Sequence, residues 1–131
     1  CKKQAVEIMQ LLVNSKADIN KHNEGGGNAL MMATRYGSEH AVEMINFLIY
    51  SGANTNKQIY NGFTTLMIAT QFGGKYAIQI IKLLIDAKAD VNIQDNDGWT
   101  ALMYAILQED GEIAIEIIKL LLEAKADLKI K

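Results

Sequence analysis

Ala17-Asp18-Ile19-Asn20 returns as Ala53-Asn54-Thr55-Asn56, as Ala89-Asp90-Val91-Asn92 and, altered, as Ala126-Asp127-Leu128-Lys129. The steps between copies are 36, 36 and 37 residues. Gly26, Gly62 and Gly98 keep the same beat, and Leu30, Leu66 and Leu102 follow them at a fixed offset. Two independent markers on one period define a solenoid, in which each unit buries its apolar face only against its neighbours. Function in such a chain is a question about surfaces rather than about a closed pocket.

Between the markers, each unit reads as a turn, a short helix, a tight connection and a longer helix. The spacing predicts first helices at Asn28–Tyr36, Thr64–Phe72 and Thr100–Gln108. Asn28, Thr64 and Thr100 stand where a side-chain oxygen accepts an orphan backbone N–H at a helix start. In the second helices the apolar columns align copy by copy: Ala5, Ala41, Ala77, Ala114; Met9, Ile45, Ile81, Ile118; Leu12, Leu48, Leu84, Leu121. Those columns fall on one helical face. A flanking column (Ile8, Met44, Ile80, Ile117) widens it, so these helices must lie between neighbours. Gln10, Asn46, Lys82 and Lys119 fill the polar column. The boundaries that follow are a partial repeat at 1–22, repeats at 23–58 and 59–94, and a last one at 95–131 whose finger is incomplete.

Composition narrows the function. Half of the 131 residues are apolar and the net charge is −2 with both signs mixed, so there is no basic stripe for nucleic acid and no polybasic patch for a membrane surface. No run of 18 or more apolar residues offers a membrane span. A single cysteine, Cys1, makes no internal disulfide, and a reducing, cytoplasmic setting is expected. His22 and His40 lie far apart and give no metal-ligand spacing, so neither a metal nor a cofactor is expected. Gly25-Gly26-Gly27 lacks the Lys-Ser/Thr of a phosphate loop and reads as a bare turn. No nucleophile, base and orienting group come together, so the chain is not read as an enzyme.

The pattern resembles the ankyrin repeat over essentially the whole chain. The residues that carry the likeness are Asp95-Asn96-Asp97-Gly98-Trp99-Thr100-Ala101-Leu102-Met103-Tyr104-Ala105 and Leu83-Leu84-Ile85-Asp86-Ala87-Lys88-Ala89-Asp90-Val91-Asn92. The resemblance implies an all-α solenoid of antiparallel helix pairs with β-hairpin-like fingers. It implies a non-catalytic module that binds a protein partner through the finger tips and the concave first-helix face. Carried over, the tip positions are Tyr60, Asn61, Phe63, Asn96, Asp97 and Trp99, beside Glu24, Gly25 and Gly27. The helix-face positions are Arg35, Tyr36, Gln71, Phe72, Leu107 and Gln108. These positions vary between copies whereas the core columns do not. The likeness also marks Asn20, Asn56 and Asn92 as positions at which some such repeats are hydroxylated; a structural reading sets them to bonding the turn instead.

Three departures have physical consequences. The period exceeds the usual length of about 33 residues by about one helical turn, so an extra N-terminal turn on each second helix is expected. The Thr-Pro-Leu-His start becomes Asn28-Ala29-Leu30-Met31, Thr64-Thr65-Leu66-Met67 and Thr100-Ala101-Leu102-Met103, with no proline and with methionine as apolar filler. The glycine that ends the second helix survives only as Gly52; Lys16, Lys88 and Lys125 replace it, and a left-handed backbone there would be strained. Two alternatives accompany the interaction module. Uncapped repeats could self-associate end to end, or the chain could be the targeting arm of a larger enzyme or effector.

Overall fold

The computed structural model describes residues 18–36 and 40–125, with Glu7 and Leu11. The second helix of the partial repeat, Lys16, and the last Ala-Asp copy at 126–129 lie outside the described residues. Among the described residues there are three first helices: α1 (Ala29–Tyr36), α3 (Thr65–Phe72) and α5 (Ala101–Ile106). Each is followed by a second helix: α2 (Ala41–Tyr50), α4 (Ala77–Asp86) and α6 (Gly111–Glu123). α1, α3 and α5 pack side by side in one row, and α2, α4 and α6 pack behind them in another. No helix among the described residues is long and apolar enough to cross a membrane.

The helix starts follow from their caps. Asn28 Oδ1 accepts from Met31 N at 3.0 Å, Thr64 Oγ1 from Met67 N at 3.3 Å and Thr100 Oγ1 from Met103 N at 3.4 Å. Most core columns are where the periodicity puts them: Ala41, Ala77 and Ala114, Ile45 and Ile81, and Leu48, Leu84 and Leu121 are buried, but in the last repeat Ile118 is only half-buried and its neighbour Ile117 is fully buried. Asn46, Lys82 and Lys119 face solvent. Met31 and Met67 are buried filler in place of histidine.

The extra turn takes two forms. In the last repeat it is α-helical, because Asp110 caps it: its Oδ1 accepts from Glu112 N at 3.0 Å and Ile113 N at 3.2 Å. In the preceding repeat it is a 3₁₀ turn, Gly74–Tyr76. Gly73 stands there in place of Asp110 and has no side chain to cap with, and Gly74 has φ +57°. An α-helical turn expected in that copy is therefore corrected to 3₁₀. The first helix of the last repeat is also shorter than expected and ends at Ile106. Leu107 N and Gln108 N donate to Tyr104 O and Ala105 O, which tightens the chain out of the helix before Asp110 begins the next one.

α2 and α4 leave by the same motif, and Lys125 N begins it after α6 by donating to Leu122 O. Gly52 N donates to Ile49 O and Ala53 N to Leu48 O; Lys88 N donates to Ile85 O and Ala89 N to Leu84 O. This is the Schellman arrangement, which needs a left-handed residue. Gly52 (φ +96°), Lys88 (φ +66°) and Lys125 (φ +69°) supply it, so the strain expected at the two lysines is present.

The Ala-Asp-x-Asn segment now has a physical account. Its second residue caps its own loop: Asp18, Asn54 and Asp90 accept from the amides of Asn20, Asn56 and Asn92 at 2.9–3.0 Å. The final asparagine reaches the next copy. Asn20 Oδ1 accepts from Asn54 N and Asn56 Oδ1 from Asp90 N, both at 2.7 Å. Asn20 Nδ2 donates to Gly52 O at 3.1 Å, and Asn92 Nδ2 to Lys125 O at 3.4 Å. The marker recurs because each copy is tied to its neighbour through it.

Candidate functional site

The fingers are five-residue turns at 23–27, 59–63 and 95–99. In each, the first amide donates to the last carbonyl and the glycine amide returns to the first carbonyl. Gly26, Gly62 and Gly98 take φ between +84° and +90°, as the bulged three-residue hairpin loop requires. Neighbouring fingers are joined in register: Tyr60 N donates to Gly25 O at 3.2 Å and Asn96 N to Asn61 O at 3.0 Å. Gln58 Nε2 adds a bridge, donating to Gly62 O and to Gln94 O.

Two grooves lie along the first helices. A groove of about 290 Å³ runs between the first two repeats, with Arg35, Tyr36, Asn61, Phe63, Gln71 and Phe72 in its lining. A second, of about 320 Å³, continues between the next two, with Gln71, Phe72, Leu107 and Gln108 in its lining. The grooves share Gln71 and Phe72, so eight of the twelve expected partner positions form one stripe across three repeats. Tyr36 (72 % exposed), Leu107 (62 %) and Phe72 (43 %) present apolar surface along it.

The other four, Tyr60, Asn96, Asp97 and Trp99, stand at the tips, away from both grooves. Asn96 Nδ2 donates to Tyr60 O at 2.9 Å, so its side chain knits two fingers together. Trp99 is 36 % exposed and its ring lies 5.1 Å from that of Tyr104, which in turn lies 5.1 Å from Phe63. Trp99 therefore packs on one side and shows the other to solvent. Gln108 Nε2 donates to Thr70 O at 2.8 Å, which commits its amide to the neighbouring first helix. Asn20, Asn56 and Asn92 lie in the inter-repeat ladder rather than on the stripe, and their side chains bond the next copy.

Two features of the site are invisible in the periodic pattern. Tyr104 donates its hydroxyl to Asp95 Oδ2, while Asp95 Oδ1 holds the amides of Asp97 and Trp99 at 2.9 Å. One buried carboxylate thus shapes the last finger and anchors the ring on which Trp99 lies. Burial, and then the bond to Asp95, push the Tyr104 hydroxyl up from 10.0 to about 12. The second feature is Arg35, whose guanidinium carbon sits 3.5 Å above the centre of the Phe72 ring and 5.2 Å from that of Tyr36. A guanidinium stacked in this way keeps its edge donors directed outward.

Paired helices stacked in two rows with joined fingers define a helix-pair solenoid with an exposed stripe on its first helices. A profile of ankyrin repeats in three copies matches residues 38–131, and one of ankyrin repeats in many copies matches residues 1–49. The chain belongs to the ankyrin-repeat family. Among solved structures it is similar to an ankyrin repeat domain from Acinetobacter baumannii AYE, at 34 % identity and a TM-score of 0.83, over 96 % of this chain. This chain spans 62 % of the length of that one. No curated protein matches it. Ankyrin repeats are in general non-catalytic protein–protein interaction modules, and partner binding is their usual role.

Proposed function

We propose that this chain is a non-catalytic module that takes a protein partner on the stripe formed by its first helices and finger tips. The observation that supports this reading is the continuity of the two grooves through Gln71 and Phe72, with Tyr36, Phe72 and Leu107 left exposed along them. Large rings and an arginine in one place are the usual anchors of an interface. The first helices beneath are packed on one another, so formed elements carry the stripe and little ordering cost attends binding.

Selection of binders from a displayed random-peptide library tests the reading. Leu107→Ser and Tyr36→Ala should each weaken the selected binders by about 1–2 kcal/mol with little change in melting temperature. Tyr50→Ala, at the end of a second helix and 91 % exposed, should leave them unchanged. Binders that ignore Leu107 and Tyr36 but respond to Tyr50 would move the site to the other row.

A further inference from the structure

The stripe has a charge polarity. Arg35 is the one charged residue in the lining of the first groove, and Glu109 the one charged residue in that of the second. Neither has an oppositely charged partner among the described residues, and both are exposed. Arg35 is held in place by its stacking on Phe72. Phe72 lines both grooves, with Tyr36 in the groove of Arg35 and Leu107 in that of Glu109. Arg35 lies in the last turn of α1 and Glu109 follows α5, so the line between them crosses two helix-to-helix steps, about 20 Å in all. An extended chain covers that distance with about six residues.

We propose that the stripe takes an extended peptide segment with an acidic residue on Arg35, a large apolar side chain over Phe72 and Leu107, and a basic residue on Glu109 about six positions away. The carboxylate meets the outward edge of the stacked guanidinium, the geometry that favours paired hydrogen bonds. The apolar side chain fills the groove that the two repeats share. The basic residue fixes the register, because a segment slipped by one repeat would set its charges against neutral groups. This rests on the stripe being the binding face.

The test uses fluorescent peptides of about nine residues with Leu-Phe at the centre. One carries Glu near one end and Lys near the other; the others carry two Glu, two Lys or no charge. Fluorescence anisotropy should show the unaltered protein binding the mixed-charge probe about fivefold tighter than either like-charged probe. Arg35→Glu should move the preference to the two-lysine probe, and Glu109→Lys to the two-glutamate probe. These outcomes do not depend on chain direction, and melting curves confirm that the exposed-site variants fold.

A preference unmoved by either substitution overturns the proposal, as does the absence of binding to every probe. If the uncharged probe binds as well as the mixed one and Leu107→Ser abolishes both, the stripe survives as a binding face and the charge register fails. Loss of probe sites as protein concentration rises would give the face to a second copy and also end the proposal.

Discussion

The finger tips and the exits of the second helices make the same demand on the backbone, and the chain answers it differently. Both need a left-handed residue once per repeat. In the fingers glycine stands in every copy, at Gly26, Gly62 and Gly98. At the helix exits glycine stands at position 52, and lysine takes its place at 88 and 125. At Gly62, what the neighbour leaves free accounts for the difference. A Cβ on Gly62 would lie 2.6 Å from Asn96 N and 2.7 Å from Asp95 Cα, inside the next finger's backbone. A Cβ on Gly52 would meet nothing within 4 Å. Strain of about 1–2 kcal/mol is tolerated where the space is open; strain with a backbone collision is not. At Gly62 the next finger's backbone therefore holds the position to glycine.

Gly62→Ala should have the largest effect, a loss of about 3 kcal/mol or more, since it adds a collision to the strain. Urea unfolding would show it, and a loss no greater than that of Gly52→Ala would break the comparison. Gly52→Ala itself should cost about 1–2 kcal/mol, the strain alone. In the opposite direction, Lys88→Gly should stabilise by about 1 kcal/mol and raise the unfolding midpoint. Lys125→Gly should do the same, and the two gains should add because the sites are a repeat apart. A midpoint that stays put or falls would mean that the lysine side chain offsets its own strain.

The smallest effect sharpens the account of the last finger. The folded protein keeps the Tyr104 proton up to about pH 12, while an unfolded chain releases it near pH 10.0. The stabilisation linked to that proton is fully present below pH 10.0 and fades as the pH climbs through about 12. Tyr104→Phe should flatten this part of the alkaline stability curve. Parallel curves for the two proteins between those limits would remove Tyr104 from the linkage.

Sequence legibility followed the same division between local and relayed structure. Asn28, Thr64 and Thr100 were readable as caps because a cap acts on its own next turn. Lys88 was readable as a strained exit because the family resemblance places a helix-ending glycine there, which this chain keeps only at Gly52. The α-helical or 3₁₀ form of the inserted turn was not readable from period alone, since it depends on Asp110 having a carboxylate where Gly73 has none. The stacking of Arg35 on Phe72 and the bond from Gln108 to Thr70 join residues a full repeat apart, where columns give alignment but no side-chain direction. Tyr104 was missed for another reason: it falls within the family-like stretch, and its tie to Asp95 appears only when the finger folds back over the helix.

Asn20 and Asn56 of the ladder each grip the adjoining copy. Tension on the two ends would load these seams in series, as in a chain of links, and the weakest would part while the others held. Such a molecule lengthens by instalments, each freeing a repeat of 36 residues, roughly 120 Å of slack, before the next seam is loaded.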